Sequence, residues 1–279
     1  DEGWTVIGPG AALTEGNSWQ FSIDQPVPLY TLSFAASPKY ELVQLDSTAS
    51  GPKLVAGVTA SKKQKLLQNL EVGATAIDWM TTHVGNYPWS AQLSFAEIPT
   101  FSGGMEHTGA IWMGSQTIDG AKNGDYVAVH EVVHHWWGNH VQIADWAHFW
   151  LSEGLTEWTT VFAILETTLP PASSESLQTF YREQAALSSY PKAFGGPLPG
   201  PLCFGEQSDI MAQVSNNLLF FYYYGAAFLE MVDKRLARDF GTDLVAVFPA
   251  WFQGFGGLQA TTEDFRALLA DHTGTSTPW

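Results

Sequence analysis

The spacing of hydrophobic residues divides the chain into a β-rich beginning and a helical remainder. Hydrophobic and polar positions alternate at residues 19–23 and again at 30–34, as in half-buried strands. Apolar residues recur at helical spacing over residues 62–84, and a strand pattern at 91–95 precedes Pro99. In the remainder we predict helices at about 126–138, 150–166, 173–188, 215–238, 243–253 and 262–272. Strands first and helices after predict an α+β fold with a small β lobe and a larger helical lobe.

Composition narrows the classes of function. The chain has 279 residues, of which 45% are hydrophobic, enough for a sizeable core. Its formal net charge of -16 repels phosphate backbones and anionic membranes, so we expect no nucleic-acid partner. The longest apolar run is shorter than the roughly 18 residues that indicate a membrane span, so no span is expected. A start at Asp1 and few charged residues favour a periplasmic or secreted chain over a cytoplasmic one.

One segment, His130-Glu131-Val132-Val133-His134, carries the clearest chemistry in the sequence. Residues four apart share a face of an α-helix, so both imidazoles can reach one ion, and imidazole nitrogens suit Zn²⁺. Glu131 is offset by one position, which puts its carboxylate beside the ion, where it can take a proton from water as a general base. The same pattern also occurs by chance on solvated helix faces, so this segment alone does not establish a metal site.

Two residues compete for the third ligand position. His140 lies six residues after His134, as in the pattern HExxHxxGxxH, but that pattern needs glycine at position 137, which is Trp here. Glu153 lies nineteen residues after His134 on a second helical segment and would complete a His₂Glu site. The spacing favours Glu153.

Glu157 lies one helical turn after Glu153, on the same face. Histidines that bind zinc usually donate their second N–H to a carboxylate or a carbonyl. Glu157 is therefore a candidate acceptor for His130. The other interpretation is an exposed helix acid.

These motifs together resemble the gluzincin zinc aminopeptidases, the family of the alanyl aminopeptidases and leukotriene-epoxide hydrolase. The segment HEVVHHWWGNHV is followed by a glutamate in WLSEGLTEW, and WAHFWLSEG is most similar to the epoxide hydrolase branch. Residues 103–107, GGMEH, match the family signature G-x-M-E-N, and residues 222–226, YYYGA, match Y-E-K-G-A. The four motifs occur in the family's order, and the resemblance covers roughly residues 18–279.

The resemblance implies a thermolysin-like catalytic domain that removes the N-terminal residue from peptides. It implies that Glu106 holds the free α-ammonium of the substrate, and that Gly103, Gly104 and Met105 lie along the peptide as an edge strand. Tyr222 would donate its hydroxyl to the developing oxyanion. One Zn²⁺ is implied, with His130, His134 and Glu153 as ligands. The residues alone leave two plainer interpretations open, a surface glutamate in a glycine turn for Glu106 and an aromatic core for Tyr222.

Several positions depart from the family pattern. His107 stands where the family has Asn, and Tyr224 where it has Lys. We interpret the remaining histidines as structural or solvated, namely His83, His107, His135, His148 and His272. The only cysteine, Cys203, lies in a segment rich in Pro and Gly at 191–205, which we predict to be a loop. A single cysteine excludes an internal disulfide.

The resemblance also suggests a division of the chain. Family members carry a large N-terminal β domain, and we expect residues 1–50 to be its end strands or a β extension. Residues 51–279 would form the catalytic domain, with a cleft between about 51–125 and 126–279. Peptides with a free N-terminus are the expected partners. A zinc endopeptidase, an epoxide hydrolase of the same fold and a non-catalytic peptide-binding module are the alternatives.

Overall fold

The chain folds into two compact units, Asp1–His140 and Val141–Trp279. The computed structural model describes residues 3–16, 18–45, 51–89, 91–120, 123–168, 175, 178–179 and 218–275. Helices and strands both occur, as the α+β prediction requires. The predicted cleft and domain limits stay predictions. Among the described helices, none combines the length and apolarity needed to cross a membrane.

The described strands of the first unit are β1 (Thr5–Ile7), β2 (Leu13–Glu15), β3 (Ser18–Gln20), β4 (Ala35–Ser37), β5 (Glu41–Leu45), β6 (Lys53–Val58), β7 (Gln92–Ile98), β8 (Gly104–Met105) and β9 (Ala110–Gly114). The unit is built on a five-stranded sheet with the strand order β5-β6-β7-β9-β8. Its two central pairs, β6 with β7 and β7 with β9, are parallel, while β5 and β8 run antiparallel at the two edges. Two smaller antiparallel pairs, β1 with β4 and β2 with β3, precede it.

One predicted strand is absent. Residues 30–34 were expected to be extended, but Leu29–Thr31 forms a 3₁₀ turn. The turn follows Pro28, whose carbonyl accepts hydrogen bonds from both the N–H and the hydroxyl of Thr31. These local bonds compete with pairing to a neighbouring strand. The strand that the alternating pattern predicts at this position is therefore wrong.

Three helices accompany the sheet in the first unit: α1 (Lys63–His83), α2 (Ser115–Asp119) and α3 (Asn123–Val133). Helix α1 follows the predicted limits closely and buries Leu66, Leu70, Ile77 and Met80. It packs against α3 and the sheet. The sheet edge at β8 also contacts α3. This packing sets the HExxH helix beside the strand formed by Gly104 and Met105.

Helix α3 starts earlier and ends earlier than the predicted 126–138. The last residue of α3 is Val133, and the chain then tightens into a turn, in which His135 N–H bonds to Val132 O and Trp136 N–H to Val133 O. Gly138, with φ of 103°, ends the turn because a residue with a side chain rarely adopts that conformation.

The second unit is mostly helical. Its described elements are β10 (Gln142–Ile143), α4 (Phe149–Trp158), a π-helix (Thr159–Ile164), α5 (Leu165–Thr168), α6 (Leu218–Phe240), α7 (Phe248–Phe255), β11 (Gln259–Ala260) and α8 (Thr262–Thr273). The predicted helix 150–166 corresponds to α4, the π-helix and α5 in sequence. The predicted helix 173–188, apart from residues 175, 178 and 179, and the predicted loop 191–205 with Cys203 lie outside the described residues.

Helices α4 and α6 pack closely because both carry a glycine at their contact. A Cβ added to Gly154 would lie 2.8 Å from the Cα of Gly225, and a Cβ on Gly225 would lie 2.7 Å from the Cα of Gly154. These glycines belong to the segments WLSEG and YYYGA. The contact sets the position of Glu153, next to Gly154, relative to α6.

Candidate metal centre and active site

The two histidines of the HExxH segment converge at the end of α3. Their Nε2 atoms are 2.9 Å apart and both side chains are buried. The rings meet edge to face, with 4.6 Å between centroids. His134 Nδ1 lies 3.0 Å from the carbonyl oxygen of Trp137. A proton donated to that carbonyl leaves the lone pair of His134 on Nε2, the nitrogen that faces His130, as a metal ligand requires.

The carboxylate of Glu131 packs against the backbone of Gly104. A Cβ at Gly104 would come within 2.6 Å of the carboxyl carbon of Glu131, so the absence of a side chain there makes room for the acid. Possible ligand atoms of Glu106, Glu131 and His134 all lie within 4.8 Å of one another, and all three residues are buried. The first unit thus places two carboxylates and an imidazole around one point.

Glu106 follows the edge strand β8 and is 8% exposed. The interpretation as a surface glutamate is therefore wrong, although Glu106 does follow two glycines. Its backbone carbonyl accepts a 2.7 Å hydrogen bond from the side-chain amide of Asn139. Asn139 itself lies in the turn at residues 138–140, which follows the turn at the end of α3. The turn after the HExxH helix therefore holds the backbone at Glu106.

His135 makes a second connection between α3 and the Glu106 loop, the residues 106–109 between β8 and β9. Its Nδ1 lies 3.0 Å from Glu131 O, and its Nε2 accepts a 3.0 Å hydrogen bond from Gly109 N–H. The ring is fully buried and stacks on Tyr87. Burial lowers the pKa of His135 to about 3, so the ring is neutral at physiological pH. Neutrality matches the contacts, since one nitrogen donates and the other accepts.

His107 is structural, and it is not solvated. Its ring is buried and meets Trp112 edge to face at 4.6 Å between centroids. Burial lowers the pKa of His107, while backbone carbonyls of Tyr30 and Thr31 act in the opposite direction. The histidine that replaces the family's Asn thus joins the Glu106 loop to the 3₁₀ turn at Leu29–Thr31.

In the second unit, Glu153 and Glu157 are both buried on α4, one turn apart. The interpretation of Glu157 as an exposed helix acid is therefore wrong. Tyr222 lies half-buried in the first part of α6, beside the buried Phe220 and Phe221. Burial, and secondarily the charge of Glu157, raise the pKa of Tyr223.

Several predicted residues thus come together within the first unit: His130, Glu131, His134, Glu106 and Gly104. Met105 continues the edge strand next to Glu106, and Gly103 precedes it with φ of 84°. His140 lies elsewhere, half-buried with its ring edge-on to Trp89. No sequence pattern predicts Asn139 and His135 as parts of the site. The only available signal is their position next to the HExxH segment.

Comparison with known proteins identifies the family. The peptidase family M1 domain matches residues 68–277, well over half of the chain. Leucine aminopeptidase 2 of Aspergillus clavatus is 26% identical over 275 residues, which cover 94% of this chain and 41% of that protein. The chain thus spans less than half the length of this curated relative.

Two solved structures share the fold. Yeast LTA4 hydrolase, in complex with bestatin, superposes with a TM-score of 0.76 at 18% identity, covering 96% of this chain and 41% of that one. An M1 zinc metallopeptidase from Deinococcus radiodurans superposes with a TM-score of 0.69 at 19% identity, covering 98% and 59%. At these identities the likeness establishes the fold, and with the family match over residues 68–277 it shows that the chain belongs to peptidase family M1.

Proposed function

We propose that the chain is a zinc-dependent aminopeptidase that hydrolyses the N-terminal residue from peptides. The observation that carries the proposal is the convergence of His130 and His134 through Nε2 atoms 2.9 Å apart, with the carboxylates of Glu131 and Glu106 grouped around His134. Membership of peptidase family M1 supports it, and so does a relative named as an aminopeptidase.

His130, His134 and Glu153 are the residues we assign to the metal. Two imidazoles and one carboxylate are the donor set of many catalytic zinc sites. The contact of His134 Nδ1 with Trp137 O suits a zinc ligand, because it orients the ring. Glu153 is assigned as the third ligand from its spacing, from its burial on α4 and from the family motif. When bound by these residues, Zn²⁺ would supply Lewis-acid chemistry, polarising the scissile carbonyl and making water a stronger acid.

Glu131 acts as the general base. It accepts a proton from the attacking water on its carboxylate and passes that proton to the leaving amine. Its position against Gly104 supports this role, because the edge strand restricts the carboxylate to one side. The hydrogen bond between His135 and the carbonyl of Glu131 further fixes the backbone that carries the base.

Glu106 binds the free α-ammonium of the substrate. A carboxylate removed from water binds an ammonium ion more strongly than an exposed one does, and Glu106 is buried next to the edge strand. Gly103, Gly104 and Met105 then pair with the substrate backbone by adding it to the sheet edge. A requirement for the free amine restricts hydrolysis to the terminal residue.

Tyr222 and Glu157 complete the proposal from the second unit. The hydroxyl of Tyr222 donates a hydrogen bond to the carbonyl oxygen of the substrate as negative charge develops on it. We assign Glu157 as the acceptor for the second N–H of His130, a role that would orient that ring. Burial of Glu157 supports this assignment, since a buried carboxylate needs a polar partner.

A comparison of two substrates tests the proposed activity. The chain is incubated with an aminoacyl anilide and with an N-blocked, internally quenched peptide, and release of product is followed by absorbance and fluorescence. We expect hydrolysis of the anilide and not of the blocked peptide. Preference for the blocked peptide would identify an endopeptidase. Peptide binding without turnover of either substrate would identify a binding module.

A further inference from the structure

Glu106 and Glu131 form an unusual pair, because two buried carboxylates lie close together. Their oxygens lie within 4.8 Å of each other and of a nitrogen of His134. Glu106 is 8% exposed, and among the described residues its side-chain carboxylate has no hydrogen-bond donor, since the Asn139 amide donates to its backbone carbonyl instead. Buried like charges at this distance repel each other, and a cation between them relieves the repulsion. The pair is therefore a receptor for a positive charge.

We propose that Glu106, Glu131 and His134 form a second divalent-cation site, which takes a harder ion such as Mn²⁺. The proposal depends on the proposed function in one respect: the second site is compared with the zinc ligands His130, His134 and Glu153, here called the zinc set. Two carboxylates and one imidazole offer mostly oxygen donors, which suit Mn²⁺, whereas two imidazoles and one carboxylate suit Zn²⁺. All the ligands of the second site belong to the first unit.

The two ion positions exclude each other. Both use Nε2 of His134, because Nδ1 of that ring is already directed at the carbonyl of Trp137. A ring nitrogen has a single lone pair and binds one ion. An ion in the second site also occupies the carboxylates that we assign to the general base and to the substrate ammonium. The second site therefore gives an inactive form of the protein, and the substrate's free amine competes with the ion for Glu106.

Metal binding by the zinc-free chain tests the proposal. Binding of Mn²⁺ alone is followed by the loss of the free-ion electron paramagnetic resonance signal, and binding of Zn²⁺ alone by competition with a chromogenic chelator. Each ion is titrated into the parent chain, Glu106→Gln and Glu153→Gln. Glu71→Gln, which removes an exposed carboxylate from α1 in the same unit, serves as the matched control.

We expect Glu106→Gln to weaken Mn²⁺ binding by at least ~10–100-fold, the loss usual even for an indirect partner of a metal ligand, and to leave Zn²⁺ affinity unchanged. Glu153→Gln should weaken Zn²⁺ binding and leave Mn²⁺ affinity unchanged. Glu71→Gln should change neither affinity. The proposal is overturned if Glu106→Gln leaves Mn²⁺ affinity unchanged, or if it weakens both ions equally. Unchanged Zn²⁺ binding in Glu153→Gln would instead contradict the zinc set of the proposed function and leave the second site standing.

A second variant keeps every ligand and tests the same site by geometry. Gly104→Ala adds a Cβ that overlaps the side chain of Glu131, so the carboxylate must move away from its present position. We expect Mn²⁺ binding to weaken by about 10-fold or more, as for a displaced ligand. If this variant unfolds at the same temperature as the parent chain and its Mn²⁺ affinity is unchanged, the proposed site is contradicted.

Discussion

At the scale of single residues, the site depends on which atom of each side chain is already engaged. His134 directs Nδ1 to a backbone carbonyl, and so Nε2 is the nitrogen that faces His130. His135, its neighbour, uses both nitrogens in hydrogen bonds to the backbone and has none left for an ion. Adjacent histidines thus have different roles, which their contacts distinguish and their residue type does not.

Replacing Glu106 by Gln tests the amine anchor. The substitution removes the charge but nearly preserves the shape, so the substrate ammonium loses a charge-assisted bond worth about 1.5–3 kcal/mol. We expect kcat/KM for an aminoacyl anilide to fall roughly 10–100-fold, mainly through a higher KM. Steady-state kinetics against Glu71→Gln provide the measurement. Equal KM values in the two variants would show that Glu106 does not bind the amine.

Replacing Tyr222 by Phe tests the oxyanion donor. Loss of one such donor typically lowers kcat by about 10²–10³, while zinc content should remain that of the parent chain. Tyr224→Phe is the matched control, because it removes a hydroxyl from the same helix, two residues after Tyr222. The assignment of Tyr222 is wrong if the control loses more activity than Tyr222→Phe does.

Spacing along the chain predicts the candidate catalytic and ligand residues of the site better than it predicts the residues that hold them in position. HExxH and the glycines before Glu106 are local patterns, and their physical reasons can be stated from the sequence. Asn139 and His135 act through hydrogen bonds to residues 33 and 26 positions away. Such contacts depend on the packed sheet and helix, which no local pattern encodes.

At the scale of elements, the contact between α4 and α6 depends on two glycines. An added Cβ on either would lie within 3.0 Å of backbone atoms of the other. We expect Gly225→Ala to lower the free energy of unfolding by about 1–3 kcal/mol, the usual cost of overpacking, despite the better helix propensity of alanine. Chemical denaturation provides the measurement.

Gly254→Ala on α7 is the control for that substitution. Among the described residues, no atom beyond the helix's own backbone lies within 4 Å of the added Cβ, so only helix propensity applies. The control should keep the free energy of unfolding or raise it by less than about 1 kcal/mol. Equal effects of the two alanines would show that the close approach of α4 and α6 does not matter for stability.

Helix boundaries were predictable where the apolar pattern itself ends, and not where another feature of the chain stops the helix. Helix α1 was predictable because its apolar face is continuous from Leu66 to Met80. The end of α3 was not, since a turn and Gly138 stop the helix although apolar residues continue through Trp136 and Trp137. The π-helix at Thr159–Ile164 has the same apolar pattern as an α-helix, so periodicity does not distinguish them.

At the scale of the whole molecule, the motifs are shared between the two compact units. His130, Glu131, His134 and Glu106 belong to the first, while Glu153, Glu157 and Tyr222 belong to the second. An ion that binds only the folded chain stabilises it by mass action. We expect removal of zinc by a chelator to lower Tm. At a zinc concentration about 100 times Kd, the lost stability would be about 2.7 kcal/mol.

That measurement compares thermal unfolding with and without zinc in the parent chain and in His134→Ala. The variant lacks a proposed ligand, so its Tm should not respond to the ion. A Tm that rises equally with zinc in both proteins would place the bound ion elsewhere.

The most direct test of the central claim measures metal content and turnover together in Glu131→Gln. We expect this variant to keep one zinc ion per chain, because Glu131 is not one of the three residues assigned to the ion. We also expect kcat for the aminoacyl anilide to fall about 10²–10⁴-fold, the usual contribution of a general base. A variant that hydrolyses the substrate at the parent rate, or that loses its zinc, would contradict the proposed mechanism.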